Sequence, residues 1–347
     1  MKRKLGICTR YTRQGASSRL RYHLYASALE EAGFEAEFHP FFTERYLQNL
    51  YSGGGKSRLL AAAALAKRLA LAPLLPERLL IEYELLPELP YSVESLLLGH
   101  RRYVLNFDDN VWEKYTERPR LAEKFDELCR HAAGVIAAND FLLERIRPLN
   151  ADTIKIPTVV DLGEYPPAAE KFPRFTVAWI GTPVTYAYLE QQADALRAMA
   201  QAAEFELLVI AGKQLEARAI PGVSMRFVDW SAETEAELLG RSHVGLMPLP
   251  EEDPFARGKS AFKLIQYRAA GIPAIASPVG ENRTMIVPGE TGFLARTPAE
   301  WAAALRTLHD DEAERLRMGR RARELAAECS LRKYAPILTG FLEKTLG

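Results

Sequence analysis

The segment Arg257 to Ala295, RGKSAFKLIQYRAAGIPAIASPVGENRTMIVPGETGFLA, leaves few folds open to the chain. A basic loop with a glycine (Arg257, Gly258, Lys259) leads into an amphipathic run, Ser260 to Ala270. Gly271 stops that run, an apolar stretch of strand length follows from Ile272 to Ala276, and a Gly-Glu-Thr-Gly turn (Gly289 to Gly292) closes the unit. A helical period that gives way to a strand across a glycine is one repeat of an α/β sheet. The start of such a helix leaves about four backbone N–H groups unpaired at the positive end of the helix dipole. With Lys259 and Lys263 beside them, these groups suit a phosphate. An ordinary helix–strand repeat with two solvated lysines fits the spacing equally well.

The same alternation continues on both sides of this segment. Strand-like runs at Leu5 to Thr9, Phe34 to Phe38, Leu79 to Leu86, Tyr103 to Phe107 and Gly134 to Ala138 are separated by helical patterns such as Leu20 to Glu31, Leu59 to Leu71 and Asn139 to Leu149. Phe175 to Trp179, Phe205 to Ala211, Met225 to Val228 and Val244 to Leu249 repeat the pattern in the second half. Ala299 to Ala327 reads as two helices and Leu331 to Leu346 as a last one. At 347 residues the chain has room for two α/β domains, each with its own core. The proline-rich run Tyr165 to Pro173 is the linker by composition, which gives domains at 1–165 and 166–328 and a terminal helix at 329–347.

Apolar residues make up 48% and charged ones 26% of the chain, which excludes wholesale disorder. The 45 basic side chains balance 45 acidic ones, so nothing in the overall charge argues for nucleic acid. The charge is uneven, however: Lys2, Arg3, Lys4, Arg10, Arg13, Arg19 and Arg21 precede the first acid, Glu30. Three scattered cysteines without a C-x-x-C pair suggest reduced thiols in a cytoplasmic protein. No apolar run reaches transmembrane length, and Leu5 to Cys8 is too short for a signal peptide. Contact with the inner face of a membrane is compatible with the basic first turns. The Leu59 to Leu71 helix either packs on the first domain or lies on such a surface. Tyr46 to Lys56 ends in Ser-Gly-Gly-Gly-Lys; its spacing is not that of a Walker loop, and it reads as a flexible connection.

Two polar stretches follow strand ends, where open α/β sheets bind ligands. After the first strand comes TRYTRQGASSR, with Gly15. It lacks G-x-G-x-x-G, so a dinucleotide fingerprint is absent. Ser17 or Ser18 suits a helix cap, and Arg19 and Arg21 carry donor forks suited to an anion. After the fourth strand comes Asn106 to Asn110 with Asp108 and Asp109, which either meet a ligand or cap a helix at Val111. No His, Cys and carboxylate cluster has metal-ligand spacing, so no metal is expected.

The run K-x-x-x-K-x-x-Q-Y-x-A-A-G-I-P-x-I-A-S-P-V-G-x-N followed by G-x-T-G-F-L-A resembles the donor-binding segment of family 4 glycosyltransferases, the group 1 type. The resemblance implies an α/β GT-B fold: two Rossmann-like domains facing a cleft, with the C-terminal helix crossing back to the first. It implies a retaining enzyme that moves a sugar from a nucleotide-diphosphate sugar to a hydroxyl of a cell-surface glycan or lipid-linked acceptor. The nucleotide sugar is then a co-substrate, and neither cofactor nor metal is needed. Carried onto this sequence, it makes Lys259, Lys263, Asp108 and Asp109 the catalytic candidates. Gly181, Thr182, Lys213, Trp230, Gly258, Ser260, Ala261, Phe262 and Gln266 become donor-binding candidates, with Trp230 free either to stack on the base or to pack. Gly15, Ser17, Ser18, Arg19 and Arg21 fall to the acceptor. The chain departs from the family at three places. The arginine and lysine usual after Gly181 are missing from GTPVTYAYLEQQ. The paired glutamates eight positions apart are replaced by Gly258 and Gln266, and Thr284 stands where a glutamate is frequent. A nucleotide-sugar epimerase and a catalytically silent nucleotide-sugar-binding subunit remain as alternatives.

Overall fold

A computed structural model of the chain describes residues 2–51, 55, 57–166 and 170–347. The expected glycine-rich connection at Ser52, Gly53, Gly54 and Lys56, and Pro167 to Ala169 of the expected linker, lie outside the described residues. The chain divides into two compact units. The first comprises Met1–Val159, Gly258–Ser260 and Leu331–Gly347; the second comprises Val160–Arg257 and Ala261–Ser330.

In the first unit, β1 (Arg3–Cys8), β2 (Phe34–Phe38), β3 (Arg78–Glu82), β4 (Arg102–Phe107), β5 (Gly134–Ala137) and β6 (Thr153–Lys155) form a parallel sheet in the order β2-β1-β3-β4-β5-β6. Its central strands are covered on both faces, which explains why they read as near-continuous apolar runs rather than alternating ones. Leu79, Leu80 and Ile81 are fully buried. The terminal helix Leu331–Leu346 packs Leu338, Phe341 and Leu342 with Leu5, Ile7, Val104 and Ile136 on one face. Gly134 makes room for it, since a β-carbon there would lie 2.7 Å from the Phe341 ring. On the other side the helix Arg58–Leu71, capped by Ser57, buries only Ala64 and Arg68.

Two expected elements end early. The Leu79 to Leu86 run stops as a strand at Glu82, because Tyr83 turns into the left-handed region at φ 61°. Beyond it, the buried Glu94 carboxylate accepts the N–H groups of Leu85 and Leu86 at 2.6 and 3.1 Å. The single helix expected from Leu20 to Glu31 is two short helices, Ala16–Arg21 and Ala26–Glu31, joined by a 3₁₀ turn at His23–Tyr25.

In the second unit, β7 (Thr176–Ile180), β8 (Glu206–Ala211), β9 (Met225–Asp229), β10 (Val244–Met247), β11 (Ala274–Ala276) and β12 (Gly292–Leu294) form a parallel sheet in the order β12-β11-β10-β7-β8-β9. Both sheets change direction next to their first strand: between β1 and β3 in one unit, between β7 and β10 in the other. Such switch points open a crevice at the carboxyl ends of the strands, where doubly wound sheets take their ligands.

Candidate active site

At the first unit's switch point, the connection leaving β1 runs beside the end of β3. Glu82, 2% exposed, closes β3 and gathers that connection. Its Oε1 accepts from Ser17 Oγ at 2.7 Å, and its Oε2 accepts from Ser18 Oγ and from the Arg10 N–H, both at 2.7 Å. Burial and then the nearby charge of Asp108 raise the Glu82 carboxyl above its usual range, against the lowering effect of those three donors. Ser17 and Ser18 therefore do not cap the helix Ala16–Arg21. Gly15 is its N-cap residue, without a side-chain bond, and the two hydroxyls turn to Glu82 instead. Gly15 itself answers to packing, since a β-carbon there would lie 2.5 Å from Tyr11 Cβ.

Arg19 is half-buried on the same helix. Arg21, expected at the acceptor, is a structural strut: 3% exposed, it donates to Ile156 O at 2.6 Å and to Asn106 Oδ1. Asp108, also buried, accepts from the Tyr83 hydroxyl. The turn Val111–Lys114 has Asn110 as its N-cap residue, without a side-chain cap bond, and the Asp109 carbonyl accepts the Val111 N–H at 2.9 Å.

Beneath Tyr83 lies a buried ionic network invisible in the sequence. Lys124 Nζ sits 2.7 Å from Glu84 Oε2 and 2.9 Å from Glu94 Oε2, with all three side chains almost wholly enclosed. Burial acts to raise the Glu84 carboxyl, but Lys124 and Lys114 bring it below its usual value. Glu94, more deeply buried and beside Glu84, stays raised. The network lies immediately past the left-handed turn at Tyr83, whose hydroxyl donates to Asp108.

Gly258, Lys259 and Ser260 belong to the first unit, where Asn139 Nδ2 donates to the Gly258 carbonyl at 2.8 Å. A β-carbon on Gly258 would lie 2.4 Å from Asn110 Cβ, which accounts for the glycine there.

In the second unit, Gly181 and Thr182 follow β7 at its switch point. The Thr182 N–H is bonded within its own turn, to Thr185 Oγ1 at 3.1 Å. Gly181 packs against the indole of Trp179, where a β-carbon would lie 2.4 Å from the ring. Lys263 Nζ stands 5.6 Å from the centroid of the same indole, within cation–π range, so Trp179 joins the two predicted positions. The helix expected from Ser260 begins later, at Phe262, because Ala261 adopts a left-handed conformation (φ 51°, ψ 29°). No side chain caps this start. One turn on from Phe262, Gln266 is 2% exposed, and its Nε2 has no hydrogen-bond partner in the protein. Lys213 begins a 3₁₀ helix just past β8. Trp230, past β9, is half-buried and donates from Nε1 to Glu235 Oε2 at 2.5 Å. Among the described residues, no three His, Cys, Asp or Glu side chains converge as a metal site.

Residues 174–311 match the family described as Glycosyl transferases group 1. This part of the chain is a group 1 glycosyltransferase domain. It spans both β7 with its turn and the helix bearing Lys263 and Gln266. A D-inositol 3-phosphate glycosyltransferase of Corynebacterium glutamicum (strain R) is 44% identical over 64 residues, 18% of this chain and 15% of that protein. The shared stretch thus spans only a small part of the curated relative. Across the whole chain the similarity is one of fold. Sucrose-phosphate synthase from Thermosynechococcus elongatus superposes with a TM-score of 0.69 at 16% identity, covering 99% of each chain. Anabaena Alr3699/HepE, in complex with UDP and glucose, superposes with a TM-score of 0.69 at 13% identity, covering 98% of this chain and 99% of that one. The group 1 domain is accordingly one half of a GT-B architecture, an α/β fold with two parallel six-stranded sheets.

Proposed function

We propose that the protein is a retaining glycosyltransferase that moves a sugar from a nucleoside-diphosphate sugar to an acceptor hydroxyl. The observation that carries this reading is the start of the helix Phe262–Ala269. Its N-terminus has no side-chain cap, Lys263 is its second residue, and the amide of Gln266, one turn on, is buried and unmatched. A diphosphate suits the helix start and Lys263. A ribose diol suits Gln266, because an amide both donates and accepts.

Charge develops on the β-phosphate as the glycosidic bond breaks, and a fixed donor aimed there contributes about 3 kcal/mol to lowering the barrier. Lys263 is that donor, together with the amides near Ala261. The departing phosphate takes the acceptor proton, so no separate base and no metal enters the mechanism. Asp108 and Asp109 orient sugar hydroxyls. Arg19, with the loop around Gly15, faces an anionic acceptor; the named substrate of the curated relative, an inositol phosphate, is of that class.

The acceptor is a cell-surface glycan or a lipid-linked sugar met at a membrane. Support comes from the helix Arg58–Leu71, which carries no acid and exposes Leu59, Leu69 and Leu71 alongside Arg58 and Lys67, with Leu74 exposed just beyond. No helix among the described residues is long and apolar enough to cross a membrane.

A thermal-shift panel of UDP, GDP, dTDP, CDP and ADP, with NAD as control, tests the donor site. A diphosphate at a hundred times its Kd should stabilise the protein by about 2.7 kcal/mol. One responding base supports the reading and selects the donors to screen for turnover. No response to any diphosphate overturns it.

A further inference from the structure

Glu82 has no assigned part in glycosyl transfer, yet it holds the connection on which the proposed acceptor residues stand. Its three bonds come from positions on both sides of that connection: the Arg10 amide at the start, the Ser17 and Ser18 hydroxyls at the end. Ser18 Oγ also accepts the Tyr11 N–H at 3.0 Å, so a second backbone amide reaches the carboxylate through it. Tyr11 in turn lies against the α-carbon of Gly15. Residues 10 to 18 are thereby folded around a single buried side chain that comes from a different strand. Packing alone does not call for a carboxylate at the end of an apolar strand, and burying one is costly unless its lone pairs are matched. Here they are matched entirely by the loop.

We propose that Glu82 is a positioning residue. Its two oxygens fix residues 10 to 18 so that Arg13 and Arg19 present their guanidinium groups to an anionic acceptor. The orientation of the acceptor loop rests on the glycosyltransferase reading; the loop's dependence on Glu82 does not. What matters is the set of accepting lone pairs rather than the charge. A glutamine can keep its carbonyl oxygen toward Arg10 and Ser18, while its amide meets a Ser17 hydroxyl rotated to accept.

The test compares the full-length wild type with Glu82→Ala and Glu82→Gln, by hydrogen exchange across residues 10 to 18, by nucleoside-diphosphate thermal shift, and by release of nucleoside diphosphate from a panel of nucleotide sugars. Glu82→Ala should speed exchange in the loop about tenfold or more, in line with the loss of bonds to a buried carboxylate. It should leave the diphosphate shift intact and lower turnover, and Glu82→Gln should restore both exchange and turnover. Unchanged loop exchange in Glu82→Ala, or a glutamine variant as impaired as the alanine one, overturns the proposal. If Glu82→Ala does not fold, the Ser17→Ala/Ser18→Ala double variant removes two of the three bonds and must show the same loop-restricted exchange; exchange like the wild type's would equally overturn it. Loss of the diphosphate response in the wild type itself would defeat the glycosyltransferase reading, while the exchange pattern would still decide the role of Glu82.

Discussion

Lys263 carries the most direct consequence of the donor reading. Its ammonium lies over the Trp179 indole in the group 1 domain, a contact worth about 0.5–1 kcal/mol of stability. Its electrostatic effect on a breaking glycosidic bond would be far larger. Lys263→Ala should therefore lower kcat by roughly 100- to 1000-fold, while the melting temperature changes little. Steady-state kinetics with the responding donor measures this, and unchanged kcat would remove Lys263 from the leaving-group side. In the sequence Lys263 stood out through the family resemblance, since its spacing alone fits a solvated lysine equally well. Gly15 and Gly181 were singled out by the resemblance as binding positions; in the structure each also accommodates an aromatic residue close by in the chain, Tyr11 or Trp179. Glu82 was not legible. Within ERLLIEYELL it is one of three glutamates with nothing to set it apart, and its three donors lie more than sixty positions away.

At the scale of elements, most strands and helices were legible because parallel strands buried on both faces give unbroken apolar runs. Boundaries failed where a side chain overrides the period: Glu94 bends the chain past β3, and left-handed Ala261 delays the helix that follows it. The helix Arg58–Leu71 gave two readings from its pattern, packing or membrane contact, and in the structure it is buried at two positions and exposes leucines at others. Ala64 and Arg68 face inward, with Leu59 84% and Leu74 76% exposed. Apolar area of this kind next to Arg58 and Lys67 suits an anionic bilayer, where each cation contributes about 1 kcal/mol. Leu59→Glu combined with Leu74→Glu should abolish co-sedimentation with phosphatidylglycerol vesicles without altering the diphosphate thermal shift. Retained sedimentation would place membrane contact elsewhere or nowhere.

At the scale of the whole molecule, both units hold buried groups whose proton affinity the fold shifts. In the second unit, burial and the charges of Arg315, Lys171 and His309 push His243 down from 6.5 to about 4. Between those values the unfolded chain holds a proton that the folded unit rejects, so stability is lost as the pH falls from 6.5 toward 4. Lys171, pushed down from 10.5 to about 8 by burial and then by Arg315, has the same sign at higher pH: stability rises between about 8 and 10.5. In the first unit, buried Glu82 and Glu94 have raised carboxyls, so the folded unit holds protons that the unfolded chain has released. Their contribution is fully present below the ordinary carboxyl value of 4.5 and is lost as the pH climbs through the raised values. Mild acid should therefore weaken the second unit through His243. In the first unit His23 and His39, lowered by burial, act in that same sense, and Glu82 and Glu94 act against them. Calorimetry at pH 7 and pH 5 should show the transition of the second unit moving down. His243→Gln should remove most of that shift, because the replacement carries no titrating group. Identical pH dependence in the variant and the wild type would mean that His243 is not the group that acid charges, and that the shift arises elsewhere in the second unit.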